Sequence, residues 1–281
     1  MLFLLAVLTN TALIAVMPHA WLAALLSLPQ ALLLVGCQEA KHLCVHGTFV
    51  THRAVNNMIG IVCAALFGAN FVAYRYFHFA HHRAACTDTD PEGRLYALSW
   101  STRWIWLLAP VELPWVAWHI GRVGWSMVPR SSRAQRNAAA VWMAAFAALV
   151  AVGLRHAPQT VVFGYLLPLV LFSWFDFMLT QAEHYGVAIV PASSWRDPAS
   201  LTHDIVLPFG LGWLTLHRAL HRVHHHEPGL RWVEAPRRLR ADPTARPLAY
   251  GAFARCWLAG GPRLWLNAQG TPAAANLPPR A

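Results

Sequence analysis

Four long apolar runs divide the chain, and they come in two pairs. Residues 2–17 and 21–36 are almost wholly apolar, with Pro18-His19 in the break between them. Residues 138–154 and 161–180 repeat the arrangement, with Arg155 and His156 in the break. A helix that crosses a bilayer takes about 17–25 apolar residues. Each run is near the low end of that range, and each pair predicts a helical hairpin. The first run has no basic residues ahead of it and a second follows at once, so it reads as a helix of the bundle and not as a signal peptide. Two further runs, 59–74 and 100–119, are rich in aromatics but are interrupted by Arg75, Arg103, Pro110 and Pro114. Amphipathic helices at the membrane interface and full spans both match them. From residue 228 the chain turns to Arg and Pro, which predicts short helices and a loose tail. Residues 228–281 are expected to form a cytoplasmic segment of one domain that takes in residues 1–281.

Composition agrees with a membrane bundle. The 281 residues are 57% hydrophobic and 12% charged, where a soluble domain carries about 25% charge. The net charge of +10 would also suit a nucleic-acid partner, but so apolar a chain favours the membrane. Of the 22 Lys and Arg residues only Arg155 falls in the two hairpin turns. Basic loops stay in the cytoplasm, so both termini and the long segments are expected there, in the inner membrane of a bacterium. The only lysine is Lys41. The five cysteines are odd in number and form no CxxC pair, which predicts reduced thiols and no disulfide frame.

Histidine changes the picture most. There are 16, and they cluster. One group is His42-Leu-Cys-Val-His46, a second is His78-Phe-Ala-His81-His82, and a third is His221-Arg-Val-His224-His225. A single His184 lies in Ala-Glu-His-Tyr-Gly. Residues three and four apart share a helix face, so each group is expected to point its imidazoles one way. Together they offer nine ligands: His42, His46, His78, His81, His82, His184, His221, His224 and His225. One metal cannot use nine, and two metals can take four or five each. Imidazole suits Zn, Cu, Fe and Ni alike. Zinc sites use three or four protein ligands, and soluble di-iron bundles rely on paired Glu-x-x-His motifs, of which only Glu39 to His42 is present. His19, His52, His119, His156 and His203 read as ordinary polar residues, while His217 and His226 are alternates within the last group. The acids Glu39, Glu183 and Asp204 are expected to hold imidazole N–H groups.

These groups resemble the boxes of the membrane fatty acid desaturase superfamily, which includes hydroxylases and carotenoid ketolases. His42 through His46-Gly-Thr-Phe, ending at Asn56-Asn57, is similar to the first box. Arg75-Tyr-Phe-His78-Phe-Ala-His81-His82-Arg, followed by Asp90-Pro-Glu, is similar to the second. Glu183-His184 resembles the short motif ahead of the last box, and His221 through Glu-Pro-Gly-Leu-Arg-Trp resembles the last. The likeness covers about residues 20–235. It implies an all-α polytopic membrane protein, with about four transmembrane helices and a cytosolic helical cap carrying a histidine-rich di-iron site. It also implies that the nine histidines are both metal ligands and catalytic residues, and that two Fe2+ ions are the cofactor with O2 as co-substrate. An acyl or lipid substrate and an external donor of ferredoxin or rubredoxin type, with its reductase, follow as partners. The first box carries Leu43-Cys-Val where an acid and a glycine are common, and His217 and His226 are additional. The reading is an acyl-chain desaturase. The alternatives are a hydroxylase or carotenoid ketolase, and more remotely a membrane metal transporter, whose ligands belong at mid-bilayer. The expected docking patch for an acidic donor is Arg130, Arg133, Arg136, Arg218, Arg222, Arg237, Arg238 and Arg240.

Overall fold

A computed structural model describes residues 2–93, 105–194, 197, 201–263 and 266–267. Twelve α-helices are defined among these residues. They are α1 Leu2–Val16, α2 Ala20–His46, α3 Arg53–Ala65, α4 Phe71–Ala84, α5 Ile105–Met127, α6 Arg133–His156, α7 Pro158–Val161, α8 Leu167–Glu183, α9 Leu211–Leu214, α10 His221–His226, α11 Ala235–Ala241 and α12 Tyr250–Gly260. A single π turn, Val162–Leu166, joins α7 to α8, so that Pro158–Glu183 runs as one continuous apolar helix. Three helices are long and apolar enough to cross a membrane: Ala20–His46, Arg130–His156 and Pro158–Glu183. The apolar helix α1 is shorter and packs along α2. Most of what remains of the expected tail, residues 268–281 together with 264 and 265, lies outside the described residues.

The hairpins form where the hydrophobic pattern places them. Their outer faces are apolar and open: Leu5 and Leu8 on α1, Leu25 on α2, Val141, Leu149 and Val152 on α6. Apolar surface on this scale belongs against lipid. Inside the first hairpin, polar groups pin the helices together. Asn10 Nδ2 donates to Gln30 Oε1 at 2.7 Å and Gln30 Nε2 donates to Thr11 Oγ1 at 2.9 Å. Such bonds have no competition from water within a bilayer. Ser27 Oγ donates to the Phe163 carbonyl at 2.7 Å, tying the first hairpin to the second.

Helix α2 is longer than its apolar run. Its 27 residues extend about 40 Å at 1.5 Å per residue, while the hydrocarbon core is about 30 Å thick. The final turns, from Glu39 to His46, therefore project past the apolar span. Gly47 ends the helix at φ 75°, a left-handed conformation that favours glycine, and its N–H caps the Cys44 carbonyl. The run 59–74 does not form one helix long enough to cross a membrane. It breaks at residues 66–70 into α3 and α4, of 13 and 14 residues, both too short to span. Asn70 begins α4, accepting from the N–H groups of Val72 and Ala73, and its Nδ2 donates to the Arg136 carbonyl at 2.9 Å. The run 100–119 falls partly within α5; residues 100–104 lie outside the described residues. Two parallel pairs of two-residue strands complete the fold: β1 Ala188–Ile189 with β4 Leu266–Asn267, and β2 Ile205–Val206 with β3 Leu248–Ala249.

Candidate metal centre

Four helical elements carry the nine histidines to one place. The last two turns of α2 bring His42 and His46, and α4 brings His78, His81 and His82. His184 follows α8, and α10 supplies His221, His224 and His225. They do not all point one way. They form two groups, His42, His46, His78, His82 and His224 in one, and His81, His184, His221 and His225 in the other. Within each group the ligand atoms all lie within 4.8 Å of one another. The split follows helical geometry. In α4 the i,i+4 pair His78 and His82 serves the first group, and the neighbour His81 turns to the second. In α10 the i,i+4 pair His221 and His225 serves the second group, and His224 turns to the first. A stacked contact between His82 and His225, centroids 4.6 Å apart, joins the groups.

The ring nitrogens approach more closely than protons alone explain. His78 Nε2 lies 3.0 Å from His42 Nε2 and 2.8 Å from His46 Nε2. His221 Nε2 lies 3.1 Å from His184 Nε2 and 3.0 Å from His225 Nε2. His82 and His224 meet at 3.0 Å. A neutral imidazole has one N–H and one lone pair. Where one Nε2 faces two others, a single proton bridges only one contact and leaves the other lone pairs in repulsion. A cation at the centre of each group relieves both. Nine imidazoles and no thiolate make a donor set for a borderline transition metal.

Burial prepares the rings to bind one. It pushes His78, His184, His221, His224 and His225 below the usual imidazole range, with neighbouring imidazoles adding to the effect. His82 is driven down to about 2 by burial and then by His81 and His46. Such rings stay neutral and keep a free lone pair. His81 differs. Burial opposes its charged form, but Asp90 and then Glu92 outweigh it and raise it to about 9.

Carboxylates orient particular rings. Glu39 Oε2 meets His42 Nδ1 at 2.9 Å, as expected from the sequence. Asp90 does the same for His81 Nδ1, at 2.9 and 3.0 Å through its two oxygens, with Glu92 at 3.3 Å. The chain returns Asp90 to His81 by a turn at Cys86, φ 59°, and the Cys86 N–H fixes Asp90 Oδ2 at 2.8 Å. Asp90 and Glu92 were absent from the expected acids, although their motif is visible in the sequence.

The other two expected acids do different work. Glu183 accepts from Arg218 Nε at 3.0 Å. Asp204 accepts from the Val223 N–H at 3.0 Å and anchors α10. Arg218 also bonds Asp176, and Thr180 at 2.8 Å. This buried cation fastens the 215–220 turn to the end of α8 and so sets His221 against His184. Arg218 is thereby withdrawn from the expected surface patch. Arg222 and Arg238 are paired with Asp242 and Glu227. His217 lies outside both groups, its ring tilted against Trp232 at 6.0 Å, and His226 is exposed at the end of α10. His19, His52, His119, His156 and His203 also lie outside them. His52 accepts from the Val55 N–H at the start of α3, and His203 Nε2 bonds the Tyr185 carbonyl at 2.9 Å.

No curated protein matches the chain. The model of one family, fatty acid desaturase, matches residues 19–257, a stretch that holds all four helical elements of the centre. With that match over most of its length, the chain belongs to the fatty acid desaturase family.

Proposed function

We propose that the protein is a membrane di-iron, O2-dependent desaturase acting on the acyl chain of a lipid-like substrate. The observation that supports this reading is the pairing of five and four convergent imidazoles at the end of apolar helices. The nine histidines would hold two iron ions, and the bound metal would supply activation of O2 and abstraction of hydrogen from an unactivated C–H bond. Overall, an acyl CH2–CH2 unit and O2, with two electrons and two protons, give CH=CH and two waters.

The chain's own residues set the stage for that chemistry. Glu39 and Asp90 fix the Nδ1–H of His42 and His81, so that Nε2 faces inward. The buried Phe77 and Leu43 lie on the same helices as the ligands and keep bulk water from them. Arg218, tied to Asp176 and Glu183, holds the last histidine box in register with α8. Electrons come from a separate small carrier. Arg237 and Arg240 on α11, with Arg130 and Arg133 at the start of α6, are positive groups for an acidic carrier to meet. Both termini and the histidines face the cytoplasm in this reading.

Elemental analysis of protein purified in mild detergent tests the metal, and mass spectrometry of lipids from an expressing host tests the reaction. About two irons per chain and an acyl product lighter by two mass units are expected. Stoichiometric zinc with no activity restored by iron overturns the di-iron reading. A gain of sixteen units, or a change confined to co-expressed carotenoids, overturns desaturation in favour of hydroxylation or ketone formation.

A further inference from the structure

Between Asp204 and Arg218 runs a stretch, residues 205–216, with no charged side chain. At its tip Phe209 is 99% exposed, and Val206 and Trp213 are nearly half exposed. Phe209 has φ 55° and Gly210 has φ 75°. Glycine adopts the left-handed region freely, but a bulky residue there is strained. A phenyl ring in full contact with water is also unfavourable. Both penalties fall on one residue, which points to surroundings other than water.

The cap does not close over this tip. Behind it lies a cavity of about 590 Å³, bordered by Gly210 and Trp213 of the stretch and by Pro236 and Leu239 of α11. The place of the stretch in the fold identifies what meets it. Helix α9 packs on α2, and a Cβ on Gly36 would lie close to both the Leu214 carbonyl oxygen and the Phe3 ring. Gly36 ends the apolar run of α2, and Phe3 lies at the start of that of α1. Both belong to the end of the first hairpin opposite its turn at Pro18-His19. Helix α9 therefore sits where the hairpin leaves the hydrocarbon, and His42 and His46 follow about 9–15 Å further along α2. From the same level the outer face of α1, with Leu5 and Leu8 exposed, carries the apolar surface into the bilayer. Aromatic residues collect in the headgroup layer, and short apolar elements lie in it without spanning.

Other occupants match this tip less well. An acidic electron carrier needs cations, and residues 205–216 have none. Two aromatic side chains bring about 150–250 Å² each, well short of the roughly 800 Å² that each partner gives to a standard protein interface.

We propose that residues 206–213 form an interfacial anchor, in which Phe209, flanked by Val206 and Trp213, inserts among the headgroups and upper acyl chains of the leaflet nearest the histidines. The stretch runs on through α9 to Arg218 and His221, so the residues that meet lipid are continuous with those that set the last histidine group. The anchor requires a bilayer at the hairpin ends and no metal ion.

Site-specific photo-crosslinking of the full chain in phosphatidylcholine–phosphatidylglycerol vesicles tests this. Phe209→p-benzoylphenylalanine keeps an aromatic side chain at an exposed position, and mass spectrometry identifies what it has joined. The same substitution at Leu149, open on α6, marks lipid contact. At Thr51, exposed past the end of α2, it marks the aqueous side. Lipid adducts at 209 and at 149 are expected at no less than about ten times the yield at 51, as an apolar side chain lying in the interface requires. A smaller ratio at 209, with 149 passing the mark, overturns the anchor. Adducts at 209 to a second copy of the chain in place of lipid overturn it in favour of self-association. Phe209→Leu and Phe209→Asn give an independent reading, since Asn accepts the left-handed backbone that strains Leu. With the tip in lipid, the Leu variant should melt at the higher temperature in vesicles. A higher midpoint for Phe209→Asn places the tip in water and overturns the anchor.

Discussion

Each imidazole of the centre is placed by its neighbours, so single changes separate ligands from bystanders. Alanine at His42, His46, His78, His81, His82, His184, His221, His224 or His225 is expected to abolish turnover and to lower iron content. Alanine at His19 or His156, which sit outside both groups, should leave both near normal. Near-normal activity in His184→Ala would reduce the second group to three and break the count of nine. Asp90→Asn keeps the shape of the turn at Cys86 but removes the charge on His81. Losing such an orienting carboxylate typically costs about 10–100-fold in metal affinity, and Glu39→Gln should do the same through His42. Iron retained against a graded chelator measures this. Unchanged retention in Asp90→Asn would mean that His81 is held in place by packing alone.

At the level of helices, close contact and hairpin polarity are both open to test. A Cβ on Gly36 would lie 2.3 Å from the Phe3 ring and 2.5 Å from the Leu214 carbonyl oxygen. Phe3 is itself buried in the core, and the backbone of α9 cannot yield as a flexible side chain would. Gly36→Val should therefore destabilise the junction of α1, α2 and α9 by about 1–3 kcal/mol, the usual cost of overpacking. A thermal melt in detergent, with a lower midpoint for the variant, is the check. Arg155 and His156 end α6, with Ala157 leading into α7, opposite the histidine-bearing ends in a two-hairpin arrangement. Reporters fused at the C-terminus and beside Arg155 should then give opposite signals. Matching signals would overturn the assignment of both termini to the cytoplasm.

For the molecule as a whole, the excess of positive charge has a kinetic consequence. A net charge of +10 would steer the proposed acidic carrier from a distance, and salt screens such attraction over about 10 Å at 0.1 M. The rate supported by an acidic ferredoxin or rubredoxin should therefore fall as ionic strength rises. The arginines that remain free for this are fewer than sequence suggests, since Arg218 is buried in an ion-pair network and Arg222 and Arg238 are paired. A rate flat across ionic strength would mean that docking is apolar and that the remaining arginines serve anionic lipid.

The helical membrane architecture and the identity of all nine clustered histidines are legible in the chain, because both depend on local spacing. Apolar runs near the length of a bilayer announce hairpins, and i,i+3 and i,i+4 histidines announce shared faces. The allocation of rings to two groups is not legible. It depends on how α4 and α10 are rotated against α2, and a rotation of one residue exchanges His81 for His82. The division of the run at 59–74 into α3 and α4 was also hidden, because Asn70 and the turn before it leave hydropathy almost unchanged. The acids show the same limit. Glu39 lies one helical turn from His42 and is predictable on that ground. Asp90 reaches His81 only through a backbone turn at positive φ, and Glu183 is claimed by an arginine 35 residues further along the chain. Local periodicity fixes which residues share a face, but long-range packing chooses the partner that each face meets.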